Sequence, residues 1–285
     1  MSRARFDSKF GDDFVSALPG TPGVYRVFSA EGALIYVGKA KNLRRRLGQY
    51  RNAKRRKKHH KMRAVVASGH SIEVEQCSSH LDACLLEARL IQEHRPRLNV
   101  AGAYHFLYPL VGVREEPSSE VTFCYTTQPE RFENFEWNGA YRSRLITREA
   151  FHALMDLLEF VGHPSKKSRR TARSDRAAFA KFSSVRKFRC VNLRWIESLR
   201  AFFRGESKAA LEELILMLVE NAGARSRSSE IQEKLRLLSR FYRHEATRLA
   251  RMRRVCGFTA YPVPQSERDL LWIRSRPEFV SPQSG

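Results

Sequence analysis

The chain has 285 residues, room for one large or two ordinary domains, and an apolar content of 42% that excludes general disorder. Its 52 Lys and Arg against 30 Asp and Glu leave a net charge of +22, which points to a polyanionic partner, nucleic acid first. Cys77, Cys84, Cys124, Cys190 and Cys256 are scattered without a C-x-x-C pair, so neither a zinc site nor a disulfide framework is indicated, and no apolar run approaches the ~18–20 residues that span a bilayer.

Met1 to Asp13 is polar and lacks the apolar core of a signal peptide, which with reduced thiols implies a soluble, cytoplasmic protein. Leu18 to Gly23 is a turn-rich lead-in. Val24–Ser29 and Leu34–Val37 read as strands of a hairpin around Ala30-Glu31-Gly32, placing Tyr25 and Tyr36 on one face. Gly38 ends the second strand, and Lys39–Tyr50 reads as a helix with Leu43 and Leu47 as its apolar stripe. Ser71–Gln76 is a third strand. Ser79 caps a helix that runs to His94 and is stopped by Pro96. The order is β-β-α-β-α over residues 14–101, a small mixed sheet with helices, and the fold class is α+β.

Leu107–Val113 and Val121–Thr126 are two further strands, Phe135–Tyr141 is aromatic and irregular, and Thr147–Val161 is an amphipathic helix capped by Thr147; together they form an α/β connector over 102–164. Residues 165–200 read as a basic linker, of which Lys166–Arg176 is a second, weaker candidate for a DNA contact. Residues 201–256 are helical: Ser207–Glu220, a turn, then Ser229–Arg254 with near-heptad apolar spacing and one polar break. Such a hairpin needs a partner surface for its seam. The tail, 257–285, is uninformative.

Several words of the first hundred residues agree in order and spacing with one family. They are Pro22-Gly23-Val24-Tyr25, Ile35-Tyr36-Val37-Gly38-Lys39-Ala40-Lys41-Asn42-Leu43, Leu85-Leu86-Glu87-Ala88, and Arg95-Pro96-Arg97-Leu98-Asn99-Val100. On these, Leu18–Val100 resembles the GIY-YIG nuclease domain in the form found at the N-terminus of UvrC, the incision subunit of bacterial nucleotide-excision repair. The architecture is similar to the short UvrC homologue Cho, which makes only the 3′ incision. Residues 201–256 are similar to a degenerate UVR helix pair, which implies a UvrB-like partner. The family's cysteine cluster lacks a match, so no iron–sulfur cluster is expected.

The resemblance implies a role for each matching residue. Glu87 would bind one divalent ion, Mg2+ or Mn2+, waters filling its other positions. Tyr25 would handle the proton of the attacking water. Its phenol, with an ordinary pKa of ~10, needs a cation to lower it, Lys39 and the ion being candidates. Tyr36 would hydrogen-bond the water or a phosphate oxygen. Arg46, two helical turns after Lys39, would meet charge on the scissile phosphate. Asn99 would fix the backbone of the site. The products would be 5′-phosphate and 3′-hydroxyl ends.

Between Lys39 and Arg63 stand thirteen Lys and Arg and no acid. Of these, Lys41, Arg44, Arg45, Lys54, Arg55, Arg56, Lys57 and Lys58 are the candidate contacts to a DNA backbone. The function expected is a metal-dependent DNA endonuclease cutting one strand. The rivals are a structure-specific nuclease outside excision repair and a non-catalytic DNA-binding adaptor.

Overall fold

The computed structural model describes residues 3–54, 56–99, 107–116, 120–164, 183–189, 191–276, 278 and 279. The chain divides into two compact units, Met1–Phe106 with Ile273–Gly285, and Leu107–Trp272.

The first unit is built on three strands, β1 (Gly23–Phe28), β2 (Leu34–Ala40) and β3 (Ser71–Gln76), in the order β2-β1-β3. β1 pairs antiparallel with both neighbours, so the sheet is antiparallel throughout and not mixed. The hairpin and the third strand are as expected. Two helices precede them, α1 (Arg3–Phe10) and α2 (Phe14–Ala17). The polar N-terminus is therefore part of the fold. Phe6 is buried among Tyr25, Leu43, Leu47 and Tyr50, its ring 4.8 Å from that of Phe10.

The strand β2 runs past Gly38 to Ala40, and α3 begins at Leu43 and ends at Arg51, capped by Asn42, whose side chain accepts from Arg45 N at 2.8 Å. Lys39 thus lies on a strand, and the two-turn helical spacing to Arg46 does not exist. The basic run also holds a 3-10 turn, Lys57–His59, and α4 (His60–Ser68), which sequence reading missed. Val65 and Val66 anchor α4 in the core. Lys9 donates to the carbonyls of Ala67 and Gly69 at 2.8 and 2.7 Å, a cation at a helix C-terminus. The last helix, α5 (His80–His94), has its expected cap: the Ser79 hydroxyl accepts from Asp82 N at 3.0 Å.

Alternation along the strands separates two faces. Val24 and Val37 pack with Ala83, Leu90 and Ile91 of α5. Tyr25, Val27 and Tyr36 face the other way, into a core shared with Phe6, Leu43, Leu47 and Tyr50.

In the second unit, β4 (Leu110–Glu115), β5 (Val121–Thr126), β6 (Glu136–Gly139) and β7 (Ser184–Phe188) form an antiparallel sheet in the order β6-β4-β5-β7. Two expectations fail here. The aromatic segment 135–141 contains a strand, because Trp137 pairs across from Gly112, whose missing side chain leaves room for the indole. The presumed linker contributes both β7 and the start of α7 (Leu193–Arg204); its basic run, 165–176, lies outside the described residues. The helix after β6, α6 (Arg144–Val161), starts one turn before Thr147 and is capped by the Ser143 hydroxyl, which accepts from Ile146 N at 3.3 Å.

The helical third comprises α8 (Ala209–Glu220), a short α9 (Ala222–Arg225), α10 (Ser228–Phe241), a π-helical turn (Tyr242–Ala246) and α11 (Thr247–Cys256). The seam expected to need a partner is covered within the unit: α10 packs on α6, and Leu238, Phe241, Leu249 and Met252 are buried. The polar break is Glu245, only 2% exposed, whose carboxylate accepts from the backbone of Arg142 and Ser143 at 2.7 and 2.9 Å. A buried acid is tolerated because those two N–H groups satisfy it. The tail is also structured: α12 (Gln265–Arg274) buries Trp272, whose indole donates to Ala140 O at 3.1 Å.

Candidate active site

Three buried tyrosines meet on the face of the β1–β2 hairpin turned away from α5. Tyr25 pairs across from Gly38, and Tyr36 from Val27, which sets the two rings diagonally with centroids 6.0 Å apart. The glycine of Tyr36-Val37-Gly38 is required by this packing. A Cβ on Gly38 would stand 2.4 Å from the Tyr25 ring carbon Cζ and from its hydroxyl. In the same way, a Cβ on Gly23 would stand 2.3 Å from Glu75 O.

The third ring is Tyr50, at the end of α3, which sequence reading passed over as a helix terminus. Its hydroxyl lies 2.9 Å from that of Tyr25, and the rings meet edge-on at 5.6 Å. Its position was available in principle: Leu43, Leu47 and Tyr50 form one stripe of the helix, and Tyr50 is the polar-tipped member. Arg46, one turn earlier, sets its guanidinium 5.4 Å from the Tyr50 ring centroid and donates to Gln49 Oε1 at 2.9 Å. Lys61 of α4, a second residue missed, stands 5.0 Å from the Tyr36 ring centroid.

All three phenols are pushed above their ordinary value near 10, and burial is the first cause in each. For Tyr25 the charge of Tyr36 adds to the rise, while Arg46 and the Tyr50 hydroxyl oppose it without winning. The cation facing Tyr25 is therefore Arg46 and not Lys39, and with no ion present the net shift is upward.

Lys39 belongs to Glu87. Glu87 lies four residues from both Ala83 and Ile91 on the stripe of α5 that faces the sheet, and is itself partly buried. Its Oε2 accepts from Lys39 Nζ at 2.5 Å and its Oε1 from Lys39 N at 3.2 Å. The second contact has a topological cause. β2 is an edge strand, so the backbone groups of alternate residues have no strand to pair with. Leu98 N donates to Ile35 O at 3.0 Å. Asn99 then takes both groups of Val37, accepting from its N and donating to its O, each at 2.8 Å. Glu87 covers the next free N–H, that of Lys39. Two of the motif residues, Asn99 and Glu87, are thus the edge cover of the β1–β2 hairpin.

Removal of the Asn99 amide strands two buried backbone groups. Asn99→Ala is expected to lower unfolding free energy by about 2–4 kcal/mol, read from urea denaturation, with Asn99→Asp losing roughly half as much because its acceptor survives.

Glu87 offers one hard carboxylate that already holds a cationic nitrogen. The donor set fits a small divalent ion that keeps most of its waters. Glu87 also reaches the tyrosine cluster electrostatically, its charge being one cause of the rise at Tyr36.

The basic side chains divide. Lys54, Arg56, Lys57 and Lys58 are exposed, as are Lys41 and Arg45; Arg55 lies outside the described residues. Arg44 is committed in part to the fold, donating from Nε to Leu18 O at 2.7 Å. Lys41 stands 3.7 Å from Glu278 of the C-terminal segment.

Buried tyrosines beside an arginine, a carboxylate at the edge of a β-hairpin, and a glycine under a tyrosine ring define the class of the GIY-YIG nuclease domains. Residues 21–100 match the family model of the UvrC-like GIY-YIG domain, and the chain carries a domain of that kind. UvrABC system protein C of Porphyromonas gingivalis is 37% identical over 131 residues, 46% of this chain and 21% of that protein. The corresponding protein of Hydrogenovibrio crunogenus is 39% identical over 110 residues, 38% of this chain and 18% of that one. The matches thus span about a fifth of the length of these relatives. The solved GIY-YIG N-terminal endonuclease domain of UvrC from Thermotoga maritima, bound to its catalytic divalent cation magnesium, is 33% identical, covers 30% of this chain and 90% of its own, and has a TM-score of 0.27.

Proposed function

We propose that the first unit is a divalent-cation-dependent DNA endonuclease that incises one strand, in the manner of UvrC and its short homologue Cho, with the 3′ incision of nucleotide-excision repair as its reaction. The observation that carries this reading is Glu87, a half-buried carboxylate ion-paired to Lys39 at the edge of β2, its charge reaching Tyr36. A neutral acceptor would serve to cover Lys39 N; the carboxylate adds a charge that a cation can take.

Glu87 would hold the ion, Lys39 yielding its place on Oε2. When bound, one Mg2+ or Mn2+ supplies positive charge to the phosphoryl oxygens as in-line attack proceeds. Arg46 adds a guanidinium for the same charge. Tyr25, protonated at neutral pH, works through its hydroxyl as a donor and relay joined to Tyr50, and Tyr36 orients the attacking water or a phosphate oxygen. Asn99 is a positioning residue. A UvrB-like partner would meet the exposed Ile215, Leu216 and Val219 of α8, since the buried seam is already occupied.

Incubating supercoiled and nicked-or-lesion-bearing duplexes with the full chain and Mg2+ or Mn2+ tests the activity: nicked products that chelator abolishes are expected. Absence of cleavage on every substrate, with or without a UvrB-like protein, would favour a DNA-binding adaptor instead. Separately, replacing Lys54, Arg56, Lys57 and Lys58 by Gln should flatten the salt dependence of DNA binding by about 0.9 in slope for each phosphate no longer neutralised. An unchanged slope would show that the run does not touch phosphate.

A further inference from the structure

Away from the tyrosines, α5 carries a second cluster on the face that precedes Glu87. His80 and Cys84 are separated by four residues and share one side of the helix. The C-terminal segment brings Glu278 to them. His80 Nε2 lies 3.8 Å from Cys84 Sγ and 3.7 Å from Glu278 Oε2, and the three ligand atoms all lie within 4.8 Å of one another. Phe279 seats the same turn, packing against the core of Cys84, Ala88 and Ile273 and setting its ring 5.4 Å from that of His80.

We propose that His80, Cys84 and Glu278 form a zinc site that fastens the C-terminal segment to α5, separate from the catalytic ion at Glu87. The donor set of imidazole, thiolate and carboxylate suits Zn2+, and excludes Mg2+, which does not take sulfur. The spacing fits as well. Two ligands on a tetrahedral zinc with bonds of about 2.0–2.3 Å stand roughly 3.3–3.5 Å apart, a few tenths of an ångström less than the two separations from His80, while Cys84 and Glu278 lie within 4.8 Å and would close up on the ion. Both polar contacts of the imidazole lie on its Nε2 side, with the other two ligands, so zinc would bind there and leave the ring proton on Nδ1, which is buried without a hydrogen-bond partner among the described residues.

Three cations among the described residues oppose a metal here, Lys41, Lys39 and Arg276. Lys41 Nζ stands 3.7 Å from Glu278, too long for a hydrogen bond and able to swing away, since its side chain is 58% exposed. Lys39 pairs with Glu87 as long as that carboxylate holds no ion. The bond to Cys84 forms as Sγ loses its proton to solvent, and water fills the fourth position. Cys84 precedes Glu87 by one helical turn, so occupancy here would hold Glu278 and Phe279 beside the end of β2.

Titration of the full chain with Co2+ in excess Mg2+ tests the site. One thiolate-to-cobalt charge-transfer band per chain is expected, bleached by Zn2+, absent from Cys84→Ser, and retained in Glu87→Gln, which separates this ion from the catalytic one. Glu278→Gln lies in a surface turn and should keep the fold while weakening Co2+ at least about tenfold. Zn2+ should slow tryptic cleavage after Arg274 in the wild type and not in Glu278→Gln. A wild type without the band, a band that survives Cys84→Ser, or equal cleavage with and without Zn2+ would overturn the proposal.

Discussion

Glu87→Gln should cost about 10²–10³ in the rate of Mg2+-dependent nicking, the size of effect seen when one preorganised charge-stabilising group is removed from a site. The fold should survive. The amide oxygen of Gln can still accept from Lys39 N, so the edge of β2 keeps its cover, and only the ion pair with Lys39 Nζ is lost. That pair is partly exposed, with side-chain exposures of 25% and 18%, and its loss should cost about 1 kcal/mol or less. DNA binding at moderate salt should be unaffected, because the basic run is untouched. The measurement is a nicking time course beside a binding isotherm and a thermal melt. Equal nicking by variant and wild type would remove Glu87 from the reaction; a melt far below the wild type would make it a structural residue.

Tyr25→Phe should reduce nicking by about 10²–10⁴, the range attributed to a positioned proton-transfer group. The ring stays, so the cross-strand packing on Gly38 and against Tyr36 is kept. Loss of the 2.9 Å hydrogen bond to the Tyr50 hydroxyl should cost about 1 kcal/mol. The pH profile distinguishes donor from base. Burial holds the Tyr25, Tyr36 and Tyr50 phenols above their ordinary value, so each is protonated between pH 6 and pH 9. The rate should therefore show no tyrosine ionisation in that window. A rise with pH that disappears in Tyr25→Phe would instead identify an ionising phenol.

The same shifts set the alkaline limit of stability. A phenol whose folded pKa lies above its unfolded value stabilises the fold fully below pH ~10, where both states are protonated. Above that, the unfolded chain loses its proton first and stability falls with rising pH, by about 1.4 kcal/mol per pH unit for each buried phenol. Denaturation midpoints should be level from pH 7 to 9 with respect to these groups and decline beyond about 10. Tyr25→Phe should make that decline shallower by one phenol.

The role of Glu245 shows why some features resist sequence reading. In a row of near-heptad apolar positions it is a defect. In the fold it accepts two backbone N–H groups just before α6, and the defect becomes a cap for a helix about a hundred residues earlier in the chain. Tyr50 is a similar case. Its spacing places it on the stripe of α3, but its partner hydroxyl belongs to β1, and nothing local announces that pairing.

What the sequence determined alone was local in origin. The hairpin, the third strand, the Ser79 cap and the stop before Pro96 rest on alternation, turn chemistry and capping, which act over a few residues. The motif words marked Tyr25, Tyr36, Glu87 and Asn99, and the resemblance they carry pointed to Arg46. The tertiary structure decided which side of the sheet each occupies and which group neutralises which. Lys39 lies on β2 facing α5, so it serves Glu87 and leaves Tyr25 to Arg46 and Tyr50. Burial then raises the Tyr25 phenol against the opposing charge of Arg46. The coverage of the α10–α11 seam and the approach of Glu278 to α5 were decided there too. Each depends on contacts between residues far apart in the chain, which neither periodicity nor spacing encodes.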